Sequence, residues 1–359
     1  HTRYWRDWSS DVCSSDLSEE IQHDFKKWKS QSGICKPKTI FGFICTYIFH
    51  ARKMNYDPVT IMSCDNLKKN GTLCQKLCLE FCRKVDPYLA EYIGNSVCFP
   101  NSMVDRITPY TTNTDRFVLQ LNYNIIDEIA VVCENYLSWV IEDKFSSVAP
   151  PFQNSPHVTL TDTPEIYEQQ KLVLLNSTHS FMAYFGFLFN VKFVYQFMMN
   201  ESYVNILSEY MDEIIPSLPV AVEMDYQKYK KQVLSRFSNH YIKDELSRIA
   251  QDGSQKIRMT LSGVVNYFYE KDKTDAPKYV CLFLALYIHF MNPKNKLIND
   301  PLFETLEKVY PTESNIESVK RFYSHIFSKQ LCGYNKLFEQ ICCFLEQIRN
   351  GKSMLEIKN

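Results

Sequence analysis

The order of apolar and polar positions divides the chain near Pro150 into two parts of different character. Before this point, short runs rich in β-branched residues alternate with helical periods, a pattern that predicts an α/β domain. Strands are predicted over residues 59–64, 129–133 and 139–143, and a helix over residues 73–85.

After the turn-rich segment APPFQNSPH, a short strand candidate, VTLT, leads into long helical periods with few strand signals. The second part is therefore predicted to be mostly α-helical. Its two most apolar stretches cover residues 279–291 and 179–199. The first is too short to cross a bilayer and polar residues interrupt the second, so both are interpreted as core helices.

One predicted helix of the second part carries an unusual set of polar side chains. Thr163 can cap it, and Pro164 suits its first turn. At roughly 100° per residue, Glu168, His179 and Asn176 lie about 60°, about 80° and about 140° from Lys171. All four side chains therefore fall on one side of the helix. This side could be an ordinary solvated stripe, but the surrounding leucines and Phe181 favour a polar strip that lines a cleft.

Composition and charge narrow the function only slightly. The 359 residues are 45% hydrophobic and 23% charged, which is typical of globular proteins. Because no basic face is evident, nucleic acid is not an expected partner, and neither is a membrane. Residues 1–17 follow no helical or strand period and are interpreted as an artefactual leader. The predicted domains cover residues 18–155 and 156–359.

The thirteen cysteines occur without a signal peptide, so we expect reduced thiols and a cytoplasmic location. Cys74, Cys78 and Cys82 recur every four residues and share one helical face. They could be metal ligands or small core residues. The core interpretation is favoured, because thiolates one turn apart rarely complete a tetrahedral site, and no metal site is predicted.

The segment KLVLLNSTHSFMAYFG, residues 171–186, resembles the lysine motif of the polyol-specific long-chain dehydrogenases, the mannitol dehydrogenase and fructuronate reductase family. Three further segments match in order: SCDNLKKNG, FPNSMVDRITP and WVIEDKF. RFSNHYIKDELSRIAQDGSQKI resembles the later signature of the family's helical domain. The resemblance covers nearly everything after the leader. It implies an α/β plus all-α fold, in which a Rossmann-type domain precedes a helical domain and the sugar binds between them.

The resemblance also implies residue roles. Lys171 would be the general base that removes the hydroxyl proton, Asn66 and Asn176 would stabilise the developing oxyanion, and His179 would hydrogen-bond the substrate. A lysine can act as a base near neutral pH only if its pKa is lowered, for example by burial. These four catalytic candidates are expected to converge on one cleft.

Two acidic positions keep two interpretations each. Glu168 matches a family glutamate thought to move protons between the lysine and solvent, but an i,i+3 ion pair with Lys171 is the alternative. Asp105 could reach the substrate, or it could pair with Arg106 or another cation.

The family opens with a glycine-rich turn that receives the cofactor pyrophosphate, and nothing before Ser63 matches it. The Rossmann-type domain is therefore expected to be incomplete and the chain to be a fragment that binds nicotinamide poorly. The cofactor could be NAD or NADP, and Asn66 is the one candidate for a cofactor contact.

The substrate is expected to be a small polyol, ketose or sugar acid. SCDNLKKNG and IKDELSRIAQDGS favour interconversion of mannitol and fructose over reduction of fructuronate. A uronate would require a cation for its carboxylate, for which Arg236, Arg248 and Lys243 are available. A non-catalytic binding protein with the same fold is a further alternative, and the joint presence of the four catalytic candidates argues against it. The sequence predicts no oligomeric state.

Overall fold

The structure is a computed structural model, and it describes residues 19–31, 36–222, 224–272 and 274–351. The interpretation of residues 1–17 as a leader lies outside the described residues. The described residues divide into two compact units: one comprises those up to 104 and 137–165, and the other comprises 105–136 and those from 166 onwards. Residues 105–136, the first segment of the second unit, thus lie within the range 18–155 that was predicted to form the α/β domain.

The first unit contains four helices and a small sheet within the described residues. The helices are α1 (Glu19–Gln31), α2 (Ile40–Lys53), α3 (Asn70–Val85) and α4 (Pro87–Ser96). The strands are β1 (Ser102–Asp105), β2 (Ser138–Glu142) and β3 (Val158–Thr161), in the spatial order β1-β2-β3. Strands β2 and β3 are parallel, with Trp139 opposite Val158. The predicted helix 73–85 and the predicted strands 139–143 and VTLT are thus confirmed.

Two predicted strands are wrong. Residues 59–64 are extended, but they form only one bridge, from Thr60 to Cys98. Pro100 follows closely on the partner segment and has no N–H to continue a ladder. Residues 129–133 form a loop in which Ile129 is 86% and Val131 is 67% exposed. Their β-branched composition indicated a buried strand, but the segment has no buried face.

The three cysteines of α3 lie in the core, as the sequence analysis favoured. Cys74, Cys78 and Cys82 are all buried, and α3 packs against α2 and α4. Among the residues that the structure describes, no group of three or more histidine, cysteine or acidic side chains is placed to hold a metal ion.

The second unit is helical. It contains α5 (Asn113–Tyr123), α6 (Pro164–Gln170), α7 (Ser177–Leu188), α8 (Val194–Met198), α9 (Glu201–Ile214), α10 (Tyr226–Phe237), α11 (Leu246–Ile249), α12 (Gly253–Lys271), α13 (Lys278–Phe290), α14 (Phe303–Lys308), α15 (Ile316–Tyr323) and α16 (Asn335–Arg349). A π-helical turn, Lys171–Asn176, joins α6 to α7.

Helix α13 forms the centre of this unit. It is buried continuously from Val280 to Ile288 and packs against α7, α9 and α16. The core helix predicted over 279–291 is confirmed. The one predicted over 179–199 is interrupted after α7, where Asn190 adopts a φ of 55°. No helix in the described ranges is long and apolar enough to cross a bilayer.

Candidate functional site

The helix predicted from Pro164 to about residue 189 is present, but it is not a regular α-helix. In the turn Lys171–Asn176 the hydrogen bonds skip one additional residue, so that the N–H of Ser177 bonds the carbonyl of Leu172. The angles derived from 100° per residue therefore do not hold across this turn. In a π-helical turn, residues five apart are separated by one full turn. Lys171 and Asn176 are five residues apart, so they lie on the same side of the helix.

Lys171 is only 9% exposed. Burial lowers the pKa of its ammonium group, the carboxylate of Asp105 raises it, the guanidinium of Arg236 lowers it, and Glu168 raises it again. The net shift is downward. A lysine that acts as a base near neutral pH needs a lowered pKa, and the pKa of Lys171 is shifted in that direction.

His179 lies on the first turn of α7, and its ring stacks on Phe237 with centroids 4.2 Å apart. Its Nε2 is buried and finds no hydrogen-bond partner among the described residues. Burial, reinforced by the charges of Arg248, Arg236 and Lys256, lowers its pKa to about 3. The imidazole is therefore neutral near pH 7. A buried ring nitrogen without a partner is costly, so this atom is suited to a ligand.

Arg236 is the centre of a buried ionic cluster that also contains Asp105 and Glu134. Its two terminal nitrogens contact Asp105 at 2.9 Å and 2.7 Å. Glu134 accepts from Nε at 3.1 Å and from one terminal nitrogen at 2.7 Å. All three residues are at most 8% exposed. Two carboxylates thus face one guanidinium, which leaves an excess negative charge if both are ionised.

Two tyrosines complete this cluster. The Tyr229 hydroxyl donates to Asp105 at 3.0 Å, and the Tyr136 ring lies 4.0 Å from the guanidinium carbon of Arg236. Arg106 instead donates to the backbone carbonyl of Glu134. Asp105 therefore pairs with a cation, which is Arg236 and not Arg106. A contact between Asp105 and the substrate stays a prediction.

Arg248 is placed differently from Arg236. Its side chain is 51% exposed and forms an ion pair with the buried Asp244 at 2.5 Å. Nearby, Lys256 donates to the carbonyl of Ile249 at 2.7 Å, and burial lowers its pKa to about 8. The pKa of His179 is lowered by the positive charges of Arg248, Arg236 and Lys256, so its unpartnered Nε2 lies in a positive electrostatic field.

Asn66 belongs to the first unit and is exposed, in a loop that precedes α3. Asn70 holds this loop. Its side-chain amide donates to the carbonyls of Ser63, Asp65 and Ser102, and its oxygen accepts from Ser102 N–H at 2.9 Å. A Cβ on Gly71 would lie 2.2 Å from a Pro100 oxygen, so only glycine fits there. The convergence of Asn66 with Lys171 stays a prediction.

A nicotinamide dinucleotide needs a pyrophosphate site, and no glycine-rich turn of the kind that usually forms one occurs in the described residues. Such a site requires a glycine-rich turn from a strand to a helix N-terminus. Gly71 packs on Pro100, and a Cβ on Gly42 would strike Asp24 at 2.4 Å, so both glycines serve packing within the protein.

The sequence analysis missed several residues of this region. Glu134 and Tyr136 follow the apolar run that was interpreted as a strand, and that error concealed them. Tyr229 and Lys256 carry no local signal, because only the tertiary fold brings them to Asp105 and His179. Asn70 lies within the SCDNLKKNG motif, but nothing in the sequence shows that its side chain bonds Ser102.

Models of two protein domains match the chain. The model of the mannitol dehydrogenase Rossmann domain matches residues 19–154, and the model of the mannitol dehydrogenase C-terminal domain matches residues 165–349. The fold class predicted from the sequence, a Rossmann-type domain followed by a mostly helical domain, is confirmed.

Several proteins that are similar to this chain are named mannitol 2-dehydrogenase. Mannitol 2-dehydrogenase of Aspergillus oryzae is 31% identical, over 92% of this chain and 67% of its own length. That of Emericella nidulans is 35% identical, over 76% of this chain and 55% of its own length. The ternary complex of Pseudomonas fluorescens mannitol 2-dehydrogenase with NAD and D-mannitol superimposes with a TM-score of 0.78 at 30% identity, covering 95% of this chain and 69% of that one. The chain thus matches about half to two thirds of these relatives' length.

Proposed function

The chain belongs to the mannitol dehydrogenase family, and we propose that it is the substrate-binding and proton-transferring part of an NAD-dependent polyol dehydrogenase. The observation that carries this proposal is the helix α6–α7. It places a buried lysine of lowered pKa one turn before Asn176, and it also carries His179 with its partnerless Nε2.

Lys171 is the proposed general base. In polyol oxidation its neutral amine would take the proton of the reacting hydroxyl, and a nicotinamide, when bound, would supply the acceptor for the hydride of the same carbon. One proton and one hydride leave, so the alcohol becomes a ketone. Burial favours the neutral amine and lowers its pKa, and the carboxylates of Asp105 and Glu168 oppose this shift.

Asn176 and His179 are proposed to bind the reacting end of the substrate. A side-chain amide stabilises a developing alkoxide through hydrogen bonds without competing for the proton. The neutral His179 can donate to or accept from a hydroxyl at Nε2. Asn66 is proposed as the second amide donor, and Glu168, half-buried one turn before Lys171, as the group that exchanges the proton with solvent.

The ionic cluster favours a polyol or ketose over a uronate. A carboxylate substrate would need a guanidinium with open donor positions. Arg236 already contacts two carboxylates and is buried. Arg248 is partly exposed, but it is paired with Asp244. Substrate hydroxyls, in contrast, match the His179 and Asn176 side chains. We also propose a cytosolic location, since every cysteine that the structure describes is a free thiol.

The test is to replace Lys171 by methionine in the natural full-length protein that carries this sequence. Oxidation of mannitol with NAD should fall by about 100-fold to 10,000-fold, because general-base catalysis contributes roughly that much. The wild-type rate should rise with pH as the lysine loses its proton, and this rise should be absent in the variant. Steady-state kinetics over pH 6 to 10 measure both effects, and calorimetric titration should show an unchanged affinity for NADH.

Lys256→Met is the matched control. Lys256 is also a lysine of lowered pKa, and its charge helps to lower the pKa of His179, but it lies on a different helix, α12. Its replacement should raise the KM for mannitol and leave the pH-dependent rise in place. If Lys171→Met retains near-normal turnover, or if Lys256→Met removes the pH dependence instead, the proposed role of Lys171 is wrong. Fructuronate, assayed in parallel, should be the poorer substrate.

A further inference from the structure

Between the two halves of the active-site helix lies a pair of buried hydroxyl groups, those of Ser177 and Tyr210. Both residues are fully buried. Ser177 is the residue directly after the π-helical turn, and Tyr210 lies on α9. The Tyr210 hydroxyl donates to Ser177 Oγ at 2.9 Å, and Ser177 Oγ donates to the carbonyl of Val173 within the turn.

The π-helical turn needs such support, because it is rare and its hydrogen-bond pattern departs from that of the helices on either side. Ser177 contributes to it twice: its N–H bonds the carbonyl of Leu172, and its hydroxyl bonds that of Val173. Tyr210 fixes the hydroxyl from outside the helix. Its own position is set by stacking on Phe181, with centroids 4.7 Å apart and rings 18° from parallel. Burial raises its pKa, so it remains a donor.

The turn determines which side chains share a face. In a regular α-helix, residues five apart lie about 140° apart, so Lys171 and Asn176 would stand at opposite edges of the predicted polar strip. With one additional residue in the turn, they become neighbours along the helix axis.

We propose that Ser177 and Tyr210 are positioning residues, whose hydrogen-bonded pair holds the π-helical turn that brings Lys171 and Asn176 to one reacting group. This inference rests on the proposed function for the roles of Lys171 and Asn176. The pair itself touches neither substrate nor cofactor.

The test compares Tyr210→Phe, Ser177→Ala and the double variant. Tyr210→Phe keeps the ring that stacks on Phe181 and removes only the donor. Each single variant should lower kcat about tenfold to hundredfold, since a small misplacement of reacting groups has an effect of this size. NADH affinity should be unchanged. The pH-dependent rise should move to higher pH, because a loosened turn admits water to Lys171 and its pKa returns towards the ordinary value.

Because the two hydroxyls act as one unit, the double variant should be no slower than the slower single variant. Tyr323→Phe is the control: it removes another fully buried hydroxyl, which donates to the Leu284 carbonyl at 2.6 Å away from the π turn. It should lower stability and leave kcat and its pH dependence unchanged.

Crystal structures of the variants separate this inference from the proposed function. The bond from Ser177 N–H to the Leu172 carbonyl should be lengthened or lost in the double variant. If it is unchanged, or if the effects on kcat add, the positioning role is overturned even when Lys171→Met is inactive. If Lys171→Met is active while the turn opens in the double variant, the proposed function fails and the support of the turn by the pair stands.

Discussion

Helix α13 and the combined helix α6–α7 are both apolar and mostly buried, but they differ in how their polar atoms are satisfied. On α13 the Tyr287 hydroxyl donates to Asp300 at 3.3 Å, and Cys281 donates to the Leu337 carbonyl. On α6–α7, Nε2 of His179 has no partner among the described residues, and the backbone passes through a π-helical turn. Apolar composition thus identifies burial in both helices, whereas the unsatisfied nitrogen and the irregular backbone hydrogen bonds of α6–α7 are the features on which its proposed ligand site rests.

Matched leucine truncations should separate the two helices most strongly. Leu284 on α13 and Leu174 in the π-helical turn are both fully buried. Replacing either by alanine should lower the free energy of unfolding by about 2–5 kcal/mol, since both leave a cavity. Leu174→Ala should in addition lower kcat per folded molecule, because the cavity lies within the turn that carries Lys171 and Asn176. Denaturant unfolding and turnover, corrected for the folded fraction, measure the difference.

Equal kcat values for Leu174→Ala and Leu284→Ala would contradict the proposed difference between α6–α7 and α13. They would mean that the π-helical turn tolerates loss of its packing as readily as a regular helix does.

The sequence predicted these two helices unequally well. Both appeared as apolar periods, and the polar set on α6–α7 was visible as a strip with Lys171 and His179. The π-helical turn could not be seen, because it depends on a hydroxyl of α9 that bonds Ser177. The Arg236 cluster was hidden for a related reason. Its members Asp105, Glu134 and Arg236 are distant in sequence, and the loop around Glu134 was interpreted as a strand. Local periodicity predicts helices, but it does not predict which distant side chains satisfy a buried charge.

Acidification should destabilise the protein through His179. Its folded-state pKa of about 3 lies below its ordinary value, so the unfolded chain takes up a proton first. The stability is therefore fully present above about pH 6.5 and is lost as the pH falls towards 3. Between pH 7 and pH 5 the wild type should lose up to about 2 kcal/mol more than His179→Phe, which lacks this group. Thermal unfolding of both proteins at each pH gives the difference.

Parallel pH dependence of the wild type and His179→Phe would contradict the burial of a neutral ring. Since His289 also has a lowered pKa, both proteins should still show some acid sensitivity, and only the difference between them reports on His179.

The smallest expected effect is also the one that distinguishes the two helices by sign. Tyr287→Phe on α13 removes a hydroxyl that has a partner and should destabilise the protein by about 0.5–1.5 kcal/mol. His179→Phe on α7 removes a nitrogen that has none, and the new ring can still stack on Phe237. At pH 8 this variant should therefore be as stable as the wild type, or more stable by about 1 kcal/mol, while its KM for a polyol rises. Denaturant unfolding of both variants at pH 8 measures the sign. A loss for His179→Phe as large as that for Tyr287→Phe would mean that Nε2 already has a partner in the free protein, and the imidazole would then belong with the satisfied core of α13 rather than with a ligand site.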